Sequence, residues 1–381
     1  MIPGLGAFAV RSSWRKFRFR LLRSSYYPFL DYADLGAAGP PRYYRLFGQL
    51  EAIRAKDQVW IRSGDFSVAA DLHRVPVYIL PGSGADGDEK EPGPDEQPQI
   101  IPWRQISSLP ARTPVFIAGR LGFEDGQPEF RSEAKEPLLV VLYGGDRDTL
   151  LRRAIRGGRQ RNEYWNQFTL VSLITGCIIL FLVGYFSYSQ SPSRLPTIVS
   201  ITLSLSPLVP LLPPGVLFLL LYRFYWKRAR ILRSQRDLQR LPLRFFRSDI
   251  ATSAPRKGWQ SPDRSAARLP GGQSYVMIAD KKPEQLREAM DDPRSELPVV
   301  PLSIPPSGAK TYMFGASVGG KVAQPRDPMV ERVLVRGDPE VNAQRCSDKA
   351  RSYEIYSALL FALAVVSNFL LVFLALRYLI R

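Results

Sequence analysis

The stretch GASVGGKV (Gly315–Val322) places Gly315, Gly320 and Lys321 at the spacing of a phosphate-cradling loop. Such a loop wraps backbone N–H groups around phosphate oxygens and needs a helix to follow, so that its N-terminus points at the phosphates. Here Val322 stands where a magnesium-holding Ser or Thr belongs, and Pro325 and Pro328 disfavour the helix. A glycine-rich β-turn is the expectation. His73 is the single histidine, so any Ser-His-Asp or Cys-His arrangement must be built around it, and no Gly-x-Ser-x-Gly motif accompanies it. It reads as a turn residue in DLHRVP. The two cysteines, Cys177 in an apolar run and Cys346 in a polar helical stretch, make neither a disulfide framework nor a zinc site. No catalytic residue, metal ligand or cofactor is expected.

What positions residues in this chain is its charge and its apolar runs. The 381 residues carry a formal charge of +17. That charge raises the question of nucleic acid or of an anionic membrane. The charge is clustered: Arg11–Arg23 before the first acid, Asp31; Arg152–Arg161; and Arg223–Arg247. Between and after these clusters lie three charge-free runs, Phe168–Tyr188, Pro196–Tyr222 and Ile355–Leu376. A span needs roughly 20 apolar residues, so three transmembrane helices are expected. The loop between the first two carries only Arg194, and the arginines flank the other ends. The positive-inside rule then puts residues 1–167 and 223–354 in the cytoplasm and the C-terminus outside a cell membrane. Met1–Val10 is too short to span and precedes its basic cluster, which is not the order of a signal peptide. Charge that tracks membrane flanks argues for lipid and against nucleic acid as the partner.

The entrance to the first run, GRQRNEYWNQF (Gly158–Phe168), is richer in polar groups than anchoring requires. Arg153, Arg159 and Arg161 hold the inner side, and Tyr164 and Trp165 suit the headgroup level. Asn166 and its polar neighbours are candidates for docking the soluble domain or a neighbouring subunit. The N-terminal WRKFRFRLLRSSYY sets Trp14, Phe17 and Leu21 at i, i+3 and i+7 among arginines, the pattern of a membrane-surface helix on anionic lipid headgroups. Pro207, Pro210, Pro213 and Pro214 interrupt the second run, which reads as a kinked return helix.

Before each outward run the pattern becomes strand-like. Short β-branched and aromatic stretches such as DQVWIRSG, VPVYILPG and PLLVVLYGG alternate with turn residues, and LGFEDGQPEF reads as a hairpin. The chain therefore divides into 1–40, a basic amphipathic segment; 41–150, a β-rich domain of barrel or OB-like type; 151–188, a basic juxtamembrane helix and first span; and 195–222, the second span. After these come 223–272, a basic then Ser/Pro/Gly-rich linker; 273–336, a second β-rich domain with a helix at Pro283–Met290; and 337–381, a juxtamembrane helix and third span. The fold class is an α+β membrane protein. The acidic stretch Gly82–Gln99 reads as a loop inserted between strands.

The two β-rich domains look like copies. Gly144–Trp165 aligns without a gap on Arg336–Ser357, matching Gly145 with Gly337, Arg153 with Arg345, Arg159 with Arg351 and Tyr164 with Tyr356. Upstream, Pro102–Gly119 aligns on Pro298–Gly315. The offset changes by four residues between the blocks, as a shortened hairpin in the second copy would produce. Each unit is then a soluble domain, a basic helix and an outward span, and the Pro196–Tyr222 run returns the chain between them.

VFIAGRLGFEDGQPEF, then PLLVVLYGGDRDTLLRRAI, then an aromatic-preceded span (about residues 115–186) resembles the membrane-adjacent domain of the membrane-anchored mitochondrial ubiquitin ligases. That family's ligase activity resides in a zinc-binding RING, which one histidine and two cysteines cannot build. The resemblance therefore implies an interaction module and no ligase chemistry. The functional expectation is a non-enzymatic scaffold that assembles with protein partners or with itself at the bilayer. An accessory subunit of a transport or secretion complex is the alternative. The apolar runs carry no ionisable residue of the sort a proton or ion path uses.

Overall fold

The computed structural model describes residues 2–35, 42–54, 57–80, 82, 99–105, 109–110, 112–124, 127–134, 136–160, 167–190, 194–205, 215–246, 264–270, 272–280, 282–293 and 297–379. The chain divides into two compact units. One comprises Met1–Arg15, Asn162–Ser234 and Arg345–Arg381, and the other Lys16–Arg161 and Gln235–Gln344.

The second of these units is β-rich and holds two sheets. In the first, β1 (Arg42–Arg54), β2 (Gln58–Ser63), β3 (Phe66–Asp71), β7 (Gln127–Arg131) and β6 (Pro114–Glu124) follow one another, and β6 pairs back onto β1. Five strands thus close into a barrel, with β3 and β7 parallel and the other neighbours antiparallel. Closure depends on a bent β1: residues 42–49 pair with β6 and residues 49–54 with β2, across a register break at Leu50/Ala52. Gly48 sits at that bend, where a Cβ would lie 2.6 Å from the Arg62 carbonyl oxygen. Alternation fills the interior, with Leu46 and Leu50 of β1, Val59 and Ile61 of β2, Val115, Ile117 and Leu121 of β6 and Phe130 of β7 all buried. This is the OB-like barrel expected from the strand pattern.

At β6 the sheet forks. Residues 120–124 pair with β7, whereas Val115–Ala118 pair with β8 (Leu139–Tyr143), which extends the sheet through β4 (Pro76–Leu80) to β5 (Gln99–Pro102). All five residues of β8 are buried, as in a strand covered on both faces. Outside the barrel, Phe17 of helix α1 (Ile2–Ser24), which the one-turn α2 (Tyr32–Leu35) follows, stacks on Tyr78 at 4.1 Å between centroids. Helix α3 (Leu150–Gln160) buries Leu150, Leu151, Ala154 and Ile155, one helical face.

The second sheet runs β12 (Lys321–Ala323), β11 (Thr311–Val318), β10 (Ser274–Asp280) and β9 (Arg264–Arg268), with β13 (Val333–Arg336) beside β12 on β11. Gly319 and Gly320, at φ 57° and 81°, make the two-residue turn of the β11–β12 hairpin. That hairpin occupies the place where a phosphate loop would lead into a helix. Helix α7 (Pro283–Glu288), with proline at its start, sets Leu286 against a small core of Val276, Met290, Met313 and Val322. The β11 surroundings echo those of β6. Each has a long partner on one edge, β10 or β1, and two successive short partners on the other, β12 and β13 or β7 and β8. The ladders differ in one respect: Thr311 pairs with Arg336, where the sequence alignment would pair it with Leu334. The slip is even, so side chains keep their faces.

In the helical unit, α4 (Gln167–Gln190) packs on α5 (Arg194–Leu205), where Gly184 admits Ile201 and Ser200. Helix α6 starts at Gly215 and ends at Arg240, and α8 runs Pro339–Leu379. Within this unit the two are antiparallel: Gly215 faces Asn368, Tyr222 meets Phe361, Tyr225 meets Tyr353 and Tyr356, and Arg233 donates to Glu354 through Nε and Nη2 at 3.1 and 2.8 Å.

Three expectations change. Residues 223–240 of the expected linker belong to α6, 242–246 form a 3-10 turn, and 264–268 form β9. Ala229, Leu232 and Leu238 are buried at helical spacing under the arginines that dominate the composition. Trp14, Phe17 and Leu21, expected on a membrane surface, are at most 1% exposed, so they face protein and not headgroups. The second apolar run comprises α5 and the start of α6, and Pro207, Pro210, Pro213 and Pro214 between them lie outside the described residues.

Candidate functional site

Where the chain leaves α6 it makes a tight turn, Pro242–Phe246, that brings Arg244 beside the second sheet. Arg244 donates through Nη1 to the Leu241 carbonyl (3.0 Å) and through Nη2 to the Met329 carbonyl (2.7 Å), and its guanidinium lies 4.3 Å over the Phe245 ring. The Tyr26 hydroxyl donates to the Arg244 carbonyl at 3.2 Å. On β10, the Tyr275 hydroxyl donates to the Glu331 carbonyl at 3.1 Å. From α3, Arg152 reaches toward Glu331, with Nε 4.0 Å from Oε2, beyond hydrogen-bonding distance.

Arg152, Arg244, Tyr275 and Glu331 line a cleft of about 400 Å³, part of it open to solvent. Leu238, Leu241, Val300 and Val333 supply apolar walls. Among the described residues, Glu331 Oε1 and Arg244 Nε are buried without a hydrogen-bond partner. Burial pushes the Glu331 carboxyl above the usual carboxylate range, against the pull of Arg152 and Arg244. Burial likewise raises the Tyr275 phenol and lowers the Arg244 guanidinium. Tyr275 therefore stays a protonated donor. The unpaired Glu331 Oε1, the unpaired Arg244 Nε–H and apolar walls suit a ligand or partner group that offers both a donor and an acceptor, such as a peptide amide. Among the described lining residues, none pairs a nucleophile with a base.

Beside the cleft, Arg45 of β1, 1% exposed, meets Asp327 at 2.5 Å and lies 4.1 Å over the Phe29 ring. Asp327 also accepts the Met329 N–H at 2.9 Å. This pair joins barrel to second sheet, and the charges of both its members act on Arg244.

The residues singled out by sequence sit elsewhere. Arg153 of α3 is partly buried, donates to the Asp146 carbonyl at 3.1 Å, and has its guanidinium pKa lowered by burial. Arg345 and Arg351 are exposed on α8, and Tyr356, about half exposed, lies 5.8 Å from the Tyr225 ring. Arg161, Tyr164, Trp165 and Asn166, and the side chain of Arg159, lie outside the described residues. His73 is on a turn, its Nδ1 3.1 Å from Asp57 Oδ2. Sequence reasoning missed Arg45, Arg244, Tyr275 and Glu331. Arg244 was hidden in a basic cluster, and Arg45 in YYRLF points away from the barrel core as polar strand residues commonly do. No family model, curated protein or solved structure matches this chain.

Proposed function

We propose that this chain is a multi-pass membrane protein whose β-rich unit, on the arginine-flanked cytoplasmic side, is a non-enzymatic scaffold that recruits partners. One observation carries the reading. Helix α8 leaves β13 within a few residues and continues into an apolar stretch, and among the described helices it is the one long and apolar enough to cross a membrane. Leu359, Phe361, Val366, Leu370 and Leu374 on it are 50% or more exposed. Apolar side chains exposed around a helix call for lipid or another apolar cover.

The finer reading has three crossings. Its support is that α4 exposes Val171, Ile178, Phe181 and Tyr185, and that α6 runs antiparallel to α8, as a returning span must. It also has two related modules, supported by the shared surroundings of β6 and β11 and by the helix that follows each sheet. From the resemblance to the mitochondrial ligases' membrane-adjacent domain, only an interaction role is carried over. The cleft is the recruiting surface in this reading, and it is tested by native mass spectrometry of detergent-extracted protein. A complex of fixed stoichiometry that dissociates in Glu331→Ala supports the scaffold. A wild-type chain that extracts only as a bare monomer refutes it, and a complex with a channel-forming partner unaffected by Glu331→Ala favours the transport-subunit alternative.

A further inference from the structure

The expected headgroup site on the N-terminal helix is gone, since Trp14, Phe17 and Leu21 are buried. The helical unit offers another. Contacts of Tyr222 with Phe361 and of Tyr225 with Tyr353 and Tyr356, at 5.4, 5.6 and 5.8 Å, set residues 222–228 of α6 beside residues 353–361 of α8. Arg223 and Arg228 at this level of α6, and Lys349 and Arg351 about a turn below it on α8, are all exposed. Arg223 and Lys227 are one helical turn apart, and the Arg228 guanidinium lies 4.5 Å over the Phe224 ring, which holds it along the helix.

The acids nearby are few. Residues 215–234 contain none, and residues 345–379 contain Asp348 and Glu354. Glu354 is taken by Arg233, whose Nη1 also donates to Ser347 at 3.0 Å. Asp348 alone cannot balance Arg223, Arg228, Lys349 and Arg351. The apolar stretch of α8 begins at Ile355, immediately beyond Lys349 and Arg351. Cations from two antiparallel helices therefore converge where a bilayer would present its phosphates.

We propose that this α6–α8 collar binds the phosphate of anionic phospholipids, taking two guanidinium groups from α6 and one from α8. The proposal rests on the membrane reading. Arginine suits it because a planar fork offers paired donors to phosphate oxygens. Each basic residue near an anionic surface contributes about fivefold in binding at moderate salt.

The test uses the full chain in vesicles of pure phosphatidylcholine or of phosphatidylcholine with phosphatidylglycerol. After membrane insertion is checked by resistance to alkaline carbonate, lipid retained on the extracted protein is read by native mass spectrometry. Wild type is expected to retain phosphatidylglycerol in preference to phosphatidylcholine. The triple variant Arg223→Gln, Arg228→Gln, Arg351→Gln should lose that preference, by roughly fivefold for each charge removed. A control triple on the second-sheet module, Lys282→Gln, Arg287→Gln, Lys321→Gln, should keep it. Millimolar inorganic phosphate should not displace the lipid. Equal retention of the two lipids by wild type, or equal loss in both triples, overturns the collar while leaving the membrane reading intact. Displacement by inorganic phosphate shows a free-phosphate site and overturns the lipid assignment. Release of the protein by carbonate overturns both.

Discussion

The barrel and the second sheet reach stability by different means. The barrel closes on itself around a single apolar cluster in which Val68, Ala70, Val77, Ile117, Phe130 and Leu138 are fully buried. The second sheet stays open, and its own cluster is five residues around Met313 and Val322. A core that small contributes little against the entropy of ordering four connections. Its other face is completed by aromatic and charged groups: Tyr275 among Phe245, Phe246 and Phe314, and Asp327 under Arg45 of the barrel. A closed sheet can be autonomous; an open one with half a core depends on a neighbour. Where the two meet, buried polar groups accumulate, and there the cleft lies.

The largest effect should come from breaking that dependence. Asp327→Ala leaves Arg45 buried and uncompensated, a loss of about 3–5 kcal/mol. Hydrogen exchange should show β10, β11 and β13 opening while the barrel strands stay protected. Replacing both partners, Arg45→Met with Asp327→Leu, should recover most of the loss. Equal deprotection of barrel and second sheet in Asp327→Ala would erase the distinction.

A smaller effect separates the two aligned glycines. A Cβ at Gly315 would meet Val322 Cγ1 at 2.5 Å and the Ala323 carbonyl oxygen at 2.9 Å, whereas at Gly119 the close atom is Leu138 Cδ1, the end of a flexible side chain. Gly315→Ala should therefore lower stability by about 1–3 kcal/mol, and Gly119→Ala by less, as read from denaturant midpoints. The reverse order would mean that the backbone of β12 yields more readily than Leu138 does.

The smallest effect is a pH slope. Because burial raises Glu331 in the folded state, its contribution to stability is fully present below the unfolded carboxylate pKa and is lost as pH rises through the folded value. Glu331→Gln should remove that part of the slope and be at least as stable as wild type at neutral pH, with a change of roughly 1 kcal/mol or less. A variant less stable than wild type at pH 7 would show that Arg152 holds Glu331 more strongly than its 4.0 Å separation implies.

Periodicity made the local elements legible. Alternation in QVWIRS and VPVYIL marked β2 and β4, and Asp-Gly in LGFEDGQPEF marked the β6–β7 hairpin, because each depends on residues close in sequence. The lost parts depend on residues far apart. Trp14, Phe17 and Leu21 have the spacing of an interfacial helix, and nothing local says that Tyr78 and not lipid covers Phe17. Arg153 and Arg345 align, yet one is held against the Asp146 carbonyl and the other is exposed. The cleft is the extreme case: Arg152, Arg244, Tyr275 and Glu331 come from four separate segments, and no spacing rule joins them.

The most direct test of the membrane account is topology mapping with reporters after Leu150, Gln260 and Arg381 and one inserted at Ser191. The account predicts cytoplasmic signals at the first two and external signals at Arg381 and Ser191. A cytoplasmic signal at Arg381 would contradict it, because α8 would then not cross the bilayer.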